Sequence, residues 1–123
     1  MADLHELVSR YVAVWNEPDP VSRRQQIAAL WADDGSHFTP NQDYHGYTAL
    51  ETRITGAYDK WVRDGGHVFR PRDPVDGHHD TVRFQWEMVR DNTVVSVGFD
   101  FLLLGEDGRI RADYQFLDQP PTA

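Results

Sequence analysis

One acid stands where acids are costly. Asp100 sits in the run Phe99-Asp100-Phe101, and Asp113 joins it only through the strand register worked out below. A carboxylate among apolar neighbours needs a partner or a raised pKa. His37 lies in the short extended stretch Ser36 to Thr39, which Pro40 stops. By alternation it shares a face with Thr39. A histidine there, with an ordinary pKa of roughly 6.5, can act as a base. Arg83 and Gln115 are the polar residues that strand pairing would bring beside the acids. His78-His79-Asp80 has the residue types of a metal site. Adjacent strand residues point to opposite faces and no helical His-x-x-x-His occurs, so no metal is expected.

These residues must be carried by one small domain. The chain has 123 residues and no cysteine. That length suits a single domain spanning 1–123. The missing cysteine excludes a disulfide scaffold, a thiol nucleophile and thiolate metal sites. Twelve basic and 20 acidic residues leave a net charge of −8. A chain this acidic is a poor partner for nucleic acid. The N-terminal Met1-Ala2-Asp3-Leu4-His5-Glu6 lacks the basic start of a signal peptide, and the longest aliphatic run is Phe101 to Leu104. No membrane segment follows, and a cytoplasmic location is the expectation.

Periodicity assigns the elements. Leu4, Leu7, Val8, Tyr11, Val12 and Trp15 recur at helical spacing behind the cap Asp3. Asp19 with Pro20 opens a second helix, with Ile27, Leu30 and Trp31 inside; Asp33-Asp34-Gly35 reads as its closing turn. Thr48-Ala49-Leu50-Glu51 reads as a capping box for a third helix, whose stripe includes Ile54, Ala57, Tyr58, Trp61 and Val62. Gly65-Gly66 ends it. The period then becomes two. Strands are predicted near 67–70, 79–90, 93–105 and 109–117, with turns at Pro71 to Gly77, Asp91-Asn92 and Asp107-Gly108. Helices first and antiparallel strands second make an α+β domain.

Two-residue turns at both hairpins set a register. Trp86 would face Val97, Arg83 would face Asp100, and Leu102 would face Asp113. One sheet face then collects Phe84, Trp86, Met88, Val95, Val97, Phe99, Phe101, Leu103, Tyr114 and Phe116. The other collects Arg83, Gln85, Glu87, Ser96, Gly98, Asp100, Asp113 and Gln115. The polar face is either solvated or curled around the helices to enclose a pocket. In the second case the aromatic face is too large to leave open and calls for a second subunit. A bulge would shift this register by one.

The motifs Arg10-Tyr11-Val12-Ala13, Leu30-Trp31-Ala32-Asp33-Asp34-Gly35-Ser36, His45-Gly46 before a helix, and Asp107-Gly108-Arg109-Ile110 resemble the nuclear transport factor 2-like superfamily. Within it they are most similar to the SnoaL-like polyketide cyclases and the ketosteroid isomerases. The resemblance implies a cystatin-like cone, a curved mixed sheet wrapped around three N-terminal helices with a deep pocket for a small apolar molecule. It also implies a homodimer through the outer sheet face. By the isomerase pattern Tyr11 and Asp100 form an oxyanion hole. The isomerase base would fall at Thr39, which cannot take a proton at neutral pH, so His37 is the candidate base.

Three readings follow. The first is a cofactor-independent isomerase, cyclase or dehydratase, with Tyr11, His37 and Asp100 catalytic. Trp15, Thr39, Tyr58, Arg83, Asp113 and Gln115 would then contact substrate. The second is similar to limonene epoxide hydrolase, with Asp100 and Asp113 flanking Arg83 to activate water. The third is a non-catalytic ligand-binding or dimerisation module.

Overall fold

A computed structural model of the chain describes residues 3–121. Helix α1 spans Leu4–Asn16, with the Asp3 carboxylate capping the amides of His5 and Glu6. Helix α2 spans Pro20–Leu30, capped by Asp19 with Pro20 in the first turn. Strand β1 (Trp31–Phe38) follows without a break. Asp33-Asp34-Gly35 is therefore part of a strand, not the turn expected. The irregularity instead appears as a register shift between Trp31 and Ser36. A short strand β2 (Asp43–His45) folds back on β1, where a loop was expected.

Helix α3 spans Gly46–Ala57 and widens into a π-helical extension at Tyr58–Arg63. It begins two residues before the Thr48 capping box, which lies inside it and caps nothing. Gly46 takes φ +81°, a left-handed value suited to glycine, and turns the chain from β2 directly into the helix.

The remaining strands are β3 (Val68–Asp76), β4 (Thr81–Arg90), β5 (Thr93–Leu104) and β6 (Ile110–Gln119). They form a curved, unclosed mixed sheet ordered β2-β1-β6-β5-β4-β3. Only β1 and β6 pair in parallel. Strand β3 runs through Pro71 and Pro74, the stretch read as a turn. It lies at the sheet edge, where a missing N–H costs no ladder bond, and its register slips between Arg72 and Val75.

The Asp91-Asn92 turn is as expected, with both residues at positive φ. The β5–β6 turn is longer than two residues. Gly108 donates to the Gly105 carbonyl at φ +80° and Gly105 donates to that of Arg109. A second slip at Leu103/Leu104 restores the expected pairs Asp100 with Gln115 and Leu102 with Asp113.

The β4–β5 register corrects the sequence reading. Arg90 pairs with Thr93 and Val89 with Val94, but Met88 pairs with Ser96. Val95 is the extra residue of a bulge. Beyond it Trp86 faces Gly98 and Phe84 faces Asp100. From Thr81 to Met88, β4 is thus flipped against β5 relative to the expected register. Val82, Phe84, Trp86 and Met88 point inward beside Ser96, Gly98, Asp100 and Leu102, all buried. Arg83, Gln85 and Glu87 point outward. The inner face is mixed, and most of it packs on α1 and α3 with Leu7, Val8, Tyr11, Val12, Trp15, Leu50 and Ile54.

Candidate functional site

The bulge at Val95 brings Trp86 and Asp100 to one side of the sheet. The Trp86 indole donates from Nε1 to Asp100 Oδ1 at 2.7 Å. Gly98, opposite Trp86, makes room for this, since a Cβ on Gly98 would overlap the indole ring. From α1 the Tyr11 hydroxyl lies 3.0 Å from Asp100 Oδ2 and 2.6 Å from Asp113 Oδ2. From β1, His37 Nδ1 lies 2.8 Å from the same Asp113 oxygen. Asp100, Asp113 and His37 are each 0% exposed, and Tyr11 only 2%.

One proton arrangement satisfies these contacts. A phenol has a single proton to give and can accept another. The shorter contact assigns the Tyr11 proton to Asp113. Asp100 is then the protonated acid and donates to the Tyr11 oxygen, while His37 donates its Nδ1–H to Asp113. The electrostatics agree. Burial, and then the charge of Asp113, raise the Asp100 pKa well above the ordinary carboxylate value. Burial raises Asp113 to about 6, held down by its bonds to Asp100 and Tyr11 and by the charge of Arg53. Burial lowers His37 to about 4, with Arg53 adding to the effect. At neutral pH the histidine is uncharged and its Nε2 carries a free lone pair. That nitrogen is buried and has no hydrogen-bond partner, nor has Asp113 Oδ1.

Beside this network lies a cavity of about 350 Å³. Its walls are aromatic and apolar, including Trp15, Trp61, Phe69, Trp86 and Met88, with Tyr11 on one side. Its polar lining comes from Arg53, Lys60, Ser96 and Gln115. Arg53 donates to Gln115 Oε1 at 3.2 Å, and its guanidinium lies over the Trp15 and Tyr44 rings. The π-helical extension supplies Lys60 and Trp61, a common use of that geometry.

Of the residues expected in the site, Tyr11, Trp15 and Gln115 line the cavity. His37, Asp100 and Asp113 lie behind it. Trp15, on the cavity wall, packs on the His37 ring at 5.6 Å. Three expectations are corrected. Arg83 is exposed on the outer face and pairs with Asp76, because the β4 flip turns it away from Asp100. Thr39 lies past the end of β1 and bonds to Gln42. Tyr58 stacks under Arg23 at 4.6 Å, away from the cavity.

Sequence reasoning missed Arg53 and Trp86 as site residues. Arg53 falls four residues before Ala57 on one side of α3. A charge on that side was the available signal. Trp86 was placed on the wrong face by the register.

His37, Asp100 and Asp113 are also close enough to share a metal ion, with ligand atoms within 4.8 Å of one another. The Tyr11 O–H and Trp86 N–H already address these carboxyls, and the guanidinium of Arg53 adds positive charge nearby. Proton sharing accounts for the arrangement better. A separate chain of Ser36 Oγ, His45 and Asp43, at 2.8 and 2.7 Å, is exposed on the β1–β2 pair, and none of the three lines the cavity.

No protein-family model matches the chain, and no curated protein matches its sequence. Solved structures do match. A proposed isomerase of the SnoaL-like family from Agrobacterium tumefaciens is 29% identical, with a TM-score of 0.87 over 96% of this chain and 99% of that one. A SnoaL-like protein of unknown function from Burkholderia thailandensis is 11% identical, with a TM-score of 0.72 over 93% of each chain. A proposed polyketide cyclase from Sinorhizobium meliloti is 13% identical, with a TM-score of 0.67 over 90% of this chain and 94% of that one. The fold and the motifs agree: the chain has a nuclear transport factor 2-like fold, and its solved neighbours include SnoaL-like and polyketide-cyclase-like proteins.

Proposed function

We propose that the cavity binds a small, largely apolar molecule and that the network behind it moves a proton on that molecule, as an isomerase, cyclase or dehydratase does. The observation that carries this is His37 Nε2. It is a neutral imidazole nitrogen with a free lone pair, fixed through Nδ1 by Asp113, and without a partner. A carboxylate that orients an imidazole and supports its positive charge is the arrangement of a general base. Tyr11 and Trp86 are the members of the network on the cavity wall, and Tyr11 would turn its O–H from Asp113 to an oxygen that gains charge as the proton leaves. Asp100 positions Tyr11, and Trp86 holds Asp100 while its ring forms part of the cavity wall. Substrate would reach Nε2 by displacing the Trp15 indole.

A binding-only module is the second reading, favoured by the full burial of Asp100, Asp113 and His37. The exchange of α-protons of 2-tetralone in heavy water separates the two. Catalysis requires exchange well above the buffer rate and its loss in His37→Gln. Binding of the ketone with exchange at the buffer rate would leave only the module. The water-activation reading loses its arginine, because Arg83 is outside.

The outer sheet face supports a homodimer as part of the proposal. Phe116 is 53% exposed and Tyr114 37%, beside the half-buried Phe99 and Phe101. Sedimentation should give a dimer for the native chain and a monomer for Phe116→Asp. A monomeric native chain would refute the assembly.

A further inference from the structure

Charge around the cavity is unbalanced. Arg53 and Lys60 line it, and among the described residues no aspartate or glutamate does. This is against the trend of a chain with net charge −8. Neither cation is in an ion pair among the described residues. Lys60 Nζ lies over the Trp61 ring at 4.6 Å. Arg53 has an acceptor for one of its three nitrogens, the Gln115 amide oxygen, and its Nε is buried without any. The charge on Asp113, which Arg53 feels, already receives the Tyr11 O–H and the His37 N–H.

A buried guanidinium N–H without an acceptor, as at Arg53 Nε, is costly to keep. Here it is held in place by the Trp15 and Tyr44 rings beneath it. A planar guanidinium with free donors matches a carboxylate or a similar oxyanion better than any neutral group. The remaining wall, built from Trp15, Trp61, Phe69 and Trp86, suits a flat hydrocarbon frame.

We infer that the ligand is a flat apolar molecule bearing one anionic oxygen group, and that Arg53 seats that group. The inference rests on the cavity being the small-molecule site proposed above. It adds the charge of the ligand and the residue that reads it.

Calorimetric titration with 2-naphthoate and the neutral 2-naphthamide at pH 7 tests it. One charge-assisted pair predicts about tenfold tighter binding of the acid to the native protein. Arg53→Met should bring the two probes level, and Lys60→Met should keep most of the preference. Equal affinities in the native protein would overturn the inference while leaving the cavity reading intact. So would a preference that survives Arg53→Met, or one that vanishes only in Lys60→Met. If neither probe binds at millimolar concentration, the cavity reading itself fails and takes the inference with it. The native comparison decides the outcome even if Arg53→Met does not fold, and Arg53→Gln then serves as the second variant.

Discussion

Two arginines, one buried and one half-buried, are built in opposite ways. Arg23, on α2, is 2% exposed. Its Nε and Nη2 donate to the Glu17 carbonyl at 3.1 and 2.6 Å, its Nη1 donates to Thr55 Oγ1 at 3.0 Å, and its plane covers Tyr58. Every nitrogen has an acceptor. The group ties the end of α1 and the body of α3 to α2. Arg53, on α3, has one acceptor and a cavity before it. A completed set of hydrogen bonds holds elements together. An incomplete set in a cavity wall contributes little to stability and is left to meet something else. Polar groups that serve a ligand are kept at some cost to the fold.

The largest expected effect breaks the closed seat. Arg23→Met strands the Glu17 carbonyl and Thr55 and should cost about 2–4 kcal/mol in denaturant unfolding. Arg53→Met should change the same measurement by less than about 0.5 kcal/mol. Equal losses would erase the contrast.

Gly98→Ala comes next. The added methyl drives the Trp86 indole off Asp100, at about 1–3 kcal/mol for the overpacking. Indole fluorescence should report the displaced ring, and tetralone exchange should fall as Tyr11 loses its support.

The pH dependence is subtler. His37 titrates at about 4 when folded, against an ordinary 6.5. Between those values the unfolded chain binds the extra proton, so this group removes stability as the pH falls through that window. Asp113, raised to about 6, and Asp100, raised well above its ordinary value, do the reverse and remove stability as the pH rises. His37→Gln deletes the first effect only. Relative to the native chain it should gain on the order of 2 kcal/mol between pH 7 and 4. A difference that does not vary with pH would mean that His37 is not held neutral by its surroundings.

The smallest effect is expected at the exposed pair. Asp43 and His45 approach as closely as Asp113 and His37 do, 2.7 against 2.8 Å, but their side chains are 65% and 57% exposed. Asp43→Asn should change stability by less than about 0.5 kcal/mol.

Much of this was legible before any coordinates. The helices rest on apolar stripes, and the first two on caps, that local physics specifies; the β5–β6 pairs agree with the expected register because a slip at Leu103/Leu104 offsets the longer turn. Tyr11, His37, Asp100 and Asp113 were all named as candidates. What failed were parities. Val94 and Val95 are both apolar, so no alternation across them shows which is the bulge. One extra residue was enough to exchange Arg83 for Trp86. Arg53 escaped notice because a helical stripe is read from its apolar members, and a cation among them is taken as facing water. Thr48 lost its cap to Gly46, whose left-handed turn lets the helix start at once from β2.

The parallel pairing of β1 with β6 has a consequence for how the chain matures. The strand that comes last in sequence lies in the middle of the sheet, between β1 and β5. It alone delivers Asp113. A nascent chain leaving the ribosome N-terminus first can dock its helices and fold the β3–β4–β5 meander, but it faces a gap one strand wide. Until Ile110–Gln119 slots in, the imidazole has nothing to lean on and the phenol lacks its nearer acceptor. Assembly of the proposed site and completion of the sheet therefore arrive in a single event, so a partly made copy cannot carry the complete network.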